Sequence, residues 1–229
     1  MLIERLPDHA AAVLPKHAPA VLPKPELLLF GAGGHARVVA DAALRSGQWC
    51  TVRASDRNDA VCMGELLPGV KLYTVPSLSQ LGGMGGAVHV SIGSNLSRQH
   101  EAAVLGLERL ATVVHPNAVV SPDATVGAGC FLAAGSVLAP GAQLGLGVVV
   151  NHAAVVDHDV HIGAFSHIAP GAVLGGAARI GTRVLVGAGA VVLPGVSVCD
   201  DAVIGAGAVV TTPVLTAGTW VGVPARKLK

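Results

Sequence analysis

Residues 155–181 read VVDHDVHIGAFSHIAPGAVLGGAARIG. In this stretch Val156, Ile162, Ile168, Leu174 and Ile180 stand six residues apart, each four residues ahead of a small or β-branched residue. The rhythm continues backwards through Val150, Leu144, Leu138, Leu132, Val126 and Val120 to Val114. It continues forwards through Val186, Val192, Val198 and Ile204 to Val210. A period of six fits neither the 3.6-residue turn of an α-helix nor the alternation of a hairpin strand. It fits a stacked parallel β-helix in which each hexad supplies one short strand and one corner. Three hexads, about 18 residues, close one triangular coil, and successive coils stack about 4.8 Å apart with aliphatic side chains layered inside. The glycines of VGAG (126–129), VGAGA (186–190) and IGAGA (204–208) suit tight corners.

Outward from this region, residues 26–110 read as a small α/β unit. ELLLF (26–30) is a short buried strand, GAGGH (31–35) a turn, and ARVVADAALRSG (36–47) a helix ending at Gly47. CTVRAS (50–55) and AVHVSIG (87–93) are further strands, and NLSRQHEAAVLGLERL (95–110) is a second helix. Strands alternating with helices imply a parallel sheet. Residues 1–25 contain AVLPK twice, at 12–16 and 20–24, and their prolines oppose regular structure, so a flexible arm is expected. The β-helix is expected over 111–215, and 216–229 as a C-terminal tail folding back as a cap.

The bulk composition excludes several classes. The chain has 229 residues, 52% of them hydrophobic, with 30 glycines. Mean hydropathy is +0.62, yet no run of about 18 apolar residues occurs, so no membrane span is expected. Fifteen basic residues balance 14 acidic ones without a basic stripe, which disfavours nucleic acid. Cys50, Cys62, Cys130 and Cys199 form no metal-type pair or disulfide framework. The first residues, MLIERLPDHA, lack a secretory pattern, so a cytoplasmic protein is expected.

The repeat also assigns positions to the residues that carry chemistry. His158, third in its hexad, points outwards between Asp157 and Asp159. A carboxylate beside an imidazole orients it and raises its basicity, as a general base requires. A lone exposed histidine would carry no meaning, but His152, His158, His161 and His167 crowd this one stretch. One coil on from His158 lies Gly176, where a missing side chain leaves room for a ligand and a backbone N–H could meet a developing oxyanion. The histidines lack the registered spacing of a zinc site, so no metal is expected. GAGGHA satisfies G-x-G-x-x-G/A between strand and helix, a place for phosphate at a helix N-terminus, and Asp56 ends the next strand. So short a unit suits one nucleotide rather than a dinucleotide.

Together GAGGHARVVAD (31–41), SIGSN (91–95), the 155–176 segment and GVPARK (222–227) resemble the sugar acetyltransferases of the bacillosamine and perosamine N-acetyltransferase type. The sialic acid O-acetyltransferases are similar. The resemblance covers residues 27–229. It implies a Rossmann-like nucleotide-binding domain followed by a left-handed β-helix, a homotrimer, acetyl-CoA as cosubstrate and a role in polysaccharide biosynthesis. It implies His158 as general base, Asp159 as its orienting acid, and Gly176 as the amide at the thioester carbonyl. It further implies Asn151 and His167 as acetyl-CoA contacts, and Gly33, Gly34, His35 and Asp56 as contacts to a nucleotide-activated amino sugar. Arg57 departs from the second acid that many relatives carry. The reaction expected is acetyl transfer to the amine of a nucleotide-linked 4-amino-dideoxy sugar. The alternatives are a sugar hydroxyl as acceptor and, in another class, a nucleotide-sugar-binding β-helix without catalysis.

Overall fold

The computed structural model describes residues 24–74 and 86–228. All but the last two residues of the expected 1–25 arm lie outside these.

The α/β unit opens with β1 (Glu26–Phe30), followed by α1 (Gly34–Ser46), β2 (Thr51–Ser55), the short antiparallel pair β3 (Glu65–Leu67) and β4 (Val70–Lys71), then β5 (Ala87–Val90) and α2 (Asn95–Leu105). Its three-stranded sheet is parallel with β1 in the middle. Gly47, in the left-handed region at φ 62°, ends α1 where its composition predicts. Helix α1 starts earlier than residue 36, since Gly34 and His35 already belong to its first turn. Helix α2 stops short of residue 110 because Gly106, at φ 94°, breaks it, and a 3-10 turn follows over Leu107–Arg109. Strand β5 ends at Val90, short of residue 93, and the Ser91 hydroxyl then bonds the carbonyls of Phe30 and Gly31.

From Val113 onwards the chain is a β-solenoid of about six turns with a left-handed β-helical hexapeptide pattern. Two-residue strands stack into three parallel sheets. Val155 pairs with Val137 below and Val173 above, so residues 18 apart are neighbours (155 − 137 = 173 − 155). The second residue of each strand faces in: Leu138, Val156, Ile168, Leu174 and Val192 are at most 1% exposed. The small position of each hexad fills the layer between, as with Ala142, Ala154, Ala172 and Ala190, all fully buried. A fully buried aliphatic side chain contributes about 1.5–3 kcal/mol, so repetition of this layer is what holds the prism.

The outward residues differ between faces. One face presents Val119, Val137, Val155, Val173, Val191 and Val209. The next presents Thr125, Gln143, His161, Arg179 and Ser197. The third carries Val113, Phe131, Val149, His167, Leu185 and Val203. Its lower part is the floor of the α/β unit: Val113, Phe131 and Val149 are buried with Leu27, Val39 and Ala43 in one core. The C-terminal residues do more than cap the prism. Gly218–Val221 continues the third face in register with Ala202–Ile204, and Arg226–Lys227 returns antiparallel to it.

Candidate functional site

His158 occupies the corner between the valine face and the polar face. Its imidazole Nδ1–H donates to Asp159 Oδ2 at 2.9 Å, which leaves Nε2 with its lone pair. Asp159 makes this contact from a left-handed corner at φ 60°. Asp157 turns inward upon the same residue, accepting the His158 backbone N–H at 2.7 Å. The Asp159 hydrogen bond, with the Asp157 charge beside it, raises the His158 pKa above its usual 6.5. The side chain is 60% exposed, as an outward position requires.

Gly176 lies one coil above. A Cβ there would overlap His158 Nε2 and approach Cε1 to 2.6 Å. The absence of a side chain is thus what gives the imidazole its space. The neighbouring amides are committed, Gly175 N–H to Val192 O and Ala177 N–H to His158 O, whereas Gly176 N–H has no acceptor among the described residues. A base lone pair and a free N–H donor stand side by side.

A second cluster forms on the third face. Asn151 Oδ1 accepts the His152 N–H at 2.9 Å, which orients the amide, and Nδ2 reaches His167 Nε2 at 3.1 Å. His167 Nδ1 faces Gly93 O at 3.4 Å. With a carbonyl on one side and an amide NH2 on the other, His167 is the neutral Nδ1–H form. Burial, reinforced by the nearby Arg98 charge, lowers its pKa to about 4.

The first turn of α1 supplies a third element. Gly33 caps α1 without a side-chain hydrogen bond, and no Cβ on Gly33 or Gly34 would meet another atom within 4 Å. This open, uncapped N-terminus can hold a phosphate. Asp56 closes the turn behind it, accepting Ala32 N–H at 2.9 Å and Asn58 N–H at 3.0 Å. Arg57 is drawn away to a bidentate pair with Glu101 of α2, at 2.7 Å on one arm. The His35 ring points towards the β-helix, 5.5 Å from the Phe131 ring and 6.0 Å from that of His167. Its Nε2 is buried with no hydrogen-bond partner among the described residues, and burial followed by the His167 charge lowers its pKa to about 3.

The structure therefore brings His158, Asp159 and Gly176 together, and separately Asn151, His167 and His35. Among the described residues no hydrogen bond joins the two groups. The corner holding His158 lies between the first two faces and so opposite the third, which carries His167. The prism body stands between them. Arg98, absent from the sequence-based candidates, is 1% exposed and bridges the two units beneath His167. Its only sequence signal is helical: Asn95, Arg98 and Gln99 share one face of α2. Among the described residues no group of three or more His, Cys, Asp or Glu side chains is gathered for a metal, and no helix is long and apolar enough to cross a membrane.

Residues 26–105 match the PglD N-terminal domain family, and residues 177–212 match the hexapeptide repeat of succinyl-transferase. The acetyltransferase domain of PglB from Neisseria gonorrhoeae is 34% identical with a TM-score of 0.80, the match covering 89% of this chain and 100% of that one. That domain has also been solved in complex with acetyl coenzyme A. PerB from Caulobacter crescentus, in complex with CoA and GDP-perosamine, is 33% identical with a TM-score of 0.80, covering 88% of this chain and 96% of that one. WeeI from Acinetobacter baumannii, 24% identical with a TM-score of 0.64, covers 89% of this chain and 99% of that one and shares the fold. No curated protein matches the chain in sequence. Two-domain likeness over nearly the whole chain, together with a histidine–carboxylate pair set against a bare glycine, identifies the chain as a member of the hexapeptide-repeat sugar acetyltransferases of the bacillosamine and perosamine type, acyltransferases that use acetyl-CoA.

Proposed function

We propose that this enzyme transfers acetyl from acetyl-CoA to the amine of a nucleotide-linked 4-amino-dideoxy sugar. The observation that carries the reading is the His158 Nε2 lone pair set against Gly176 with Nδ1–H held by Asp159. The α1 first turn, at Gly33, Gly34 and the His35 backbone, takes the nucleotide phosphates, with Asp56 beside it. The sugar amine attacks the thioester carbonyl carbon, and His158 Nε2 accepts the proton that the nitrogen loses. Asp159 stabilises the resulting imidazolium. Gly176 N–H donates to the oxyanion. The carbon–sulfur bond then breaks, the thiolate leaves and takes up a proton, and no acyl-enzyme forms. General-base help of this kind is worth about 10²–10⁴-fold.

His158 and His167 face opposite sides of one prism, so a site using both is built from two copies. The unbroken valine face beside the His158 corner is a surface for such a contact, and closure by a neighbour excludes water from the reacting atoms. A homotrimer would repeat this site three times. The perosamine N-acetyltransferase of Caulobacter crescentus, solved with CoA and GDP-perosamine, supports an amine acceptor over a hydroxyl. We place the enzyme in polysaccharide biosynthesis in the cytoplasm.

The test is thiol release from acetyl-CoA with UDP- and GDP-linked 4-amino-4,6-dideoxy sugars and with sialic acid, using His158→Ala as control. Release with an amino sugar, lost in the variant, is the expected result. Release with sialic acid alone would move the reaction to O-acetylation.

A further inference from the structure

Among the described residues no carboxylate pairs with the buried guanidinium of Arg98, and six oxygen atoms accept from it. Nε donates to Gly147 O at 2.9 Å, and Nη2 to Phe165 O at 2.7 Å and Ser166 O at 3.3 Å. Nη1 donates to Ile92 O at 2.9 Å and Gly93 O at 3.1 Å, and Nη2 also reaches Asn95 Oδ1 at 2.9 Å. Asn95 Nδ2 in turn donates to Arg183 O at 2.9 Å and Val184 O at 3.1 Å. Gly147, Phe165 and Arg183 are the same corner in three successive coils, all left-handed, at φ 63°, 57° and 57°. This conformation turns their carbonyls out of the stack, where α2 collects them.

Gly93 O is shared. It accepts from Arg98 Nη1 and is also the carbonyl facing His167 Nδ1. Arg98 thus holds the acceptor that decides which nitrogen of His167 carries the proton. The opposite nitrogen faces Asn151, whose amide is already oriented by the His152 N–H.

We infer that Arg98 is a positioning residue: by pinning Gly93 O it holds His167 in the Nδ1–H tautomer and keeps Nε2 as an acceptor facing Asn151. Its charge acts in the same direction, opposing protonation of His167. Among the described residues, His35 from α1 faces the His167 ring at 6.0 Å, His89 and His152 in turn bear on His35, and the Cys130 thiol bears on Arg98 itself. The relevance of this geometry to catalysis rests on reading His167 as an acetyl-CoA contact.

The test uses the full-length protein labelled with 15N-histidine, as wild type, Arg98→Lys and Arg98→Met, with His167→Gln to assign the resonance. Long-range 1H–15N spectra report each tautomer and its titration directly and need no acetyl transfer. Wild type should show His167 as Nδ1–H and unprotonated at pH 5.5. Arg98→Lys cannot span Gly93 and the corner carbonyls together, and should mix the two tautomers. Arg98→Met should mix them and move the protonation midpoint up by about one pH unit through loss of the like charge. The KM for acetyl-CoA should rise several-fold in Arg98→Lys, with a smaller change in kcat. If Arg98→Met does not fold, Arg98→Lys decides. A folded Arg98→Lys with a single, unchanged Nδ1–H signal would reduce Arg98 to a docking residue and overturn the inference. A wild type that shows these spectra yet transfers no acetyl group would sink the proposed function and leave the positioning role standing.

Discussion

At the scale of the residue, the chemistry concentrates on His158. Replacement by Ala should lower kcat by about 10²–10⁴-fold with an unchanged far-UV spectrum, since the side chain is exposed. The pH dependence has a definite sign. The base proposed at His158 acts only when unprotonated, and the Asp159 hydrogen bond raises its pKa. The rate should therefore climb with pH through a midpoint above 6.5. In Asp159→Asn that midpoint should fall, along with the plateau rate, in a kcat/KM profile from pH 5 to 9. Gly176→Ala places a methyl group on the imidazole Nε2 and should abolish turnover while shifting the melting temperature little. The His158–Gly176 pairing was legible in the sequence because an 18-residue coil fixes which residues stack. The direction of the His35 ring was not, because the GAGGH pattern specifies a turn but says nothing of what lies beneath it. That floor, Phe131 and His167, belongs to a distant part of the chain.

At the scale of the element, the corners deserve comparison with one another. Most left-handed corners are glycine, but Ala153, Asp159, Phe165, Ala177, Arg183 and Asp201 adopt the same conformation with a side chain. A left-handed alanine costs roughly 1–2 kcal/mol, partly offset by the extra freedom glycine has when unfolded. Ala153→Gly, at an exposed corner, should therefore stabilise the β-helix by about 0.5–1 kcal/mol, read as a shifted denaturation midpoint. Asp159 bears the same strain at the site itself, where the corner turns its carboxylate to His158. The hexad rhythm located the strands of the prism from Val113 to Val210, because inward side chains must be aliphatic for layers to stack, but not Gly218–Val221, which joins the third face after the rhythm has ended. It could not reveal how α2 docks. Arg98 and Asn95 bind carbonyl groups, which every residue possesses, so the partner side of the contact leaves no mark in the sequence.

At the scale of the whole molecule, the opposed placement of His158 and His167 has a direct test. Co-refolded mixtures of His158→Ala and His167→Gln, each impaired alone, should regain activity if the proposed site joins two copies, since about a quarter of the sites in a random mixture would join two intact faces. Val173→Asp, on the valine face, should yield a smaller particle in light scattering and lose activity. The seam between the units also predicts acid sensitivity. Burial is the main cause that lowers His35, His89 and His167 to about 3, 4 and 4. Between pH 6.5 and those values the unfolded chain binds more protons than the folded one. Stability is therefore full above about pH 7 and is lost as pH falls towards those values. The melting temperature should drop from pH 7 to 5, and less steeply in His35→Gln.

The carbonyl ladder beneath α2 turns the helix into a gauge of length. Arg98 and Asn95 together measure three consecutive coils, from Gly147 to Val184. A solenoid grows freely by duplicating a coil, because each coil meets only its neighbours. Here that freedom is divided. Coils above the gauge, away from the α/β unit, can be gained or lost at the cost of local packing alone, whereas those below it carry Val113 and Phe131 into that unit's core. An extra coil inside it would move Gly147 and Val184 out of reach of one helix and carry His167 away from the loop that holds it. The α/β unit thereby sets which rungs of the prism are allowed to change.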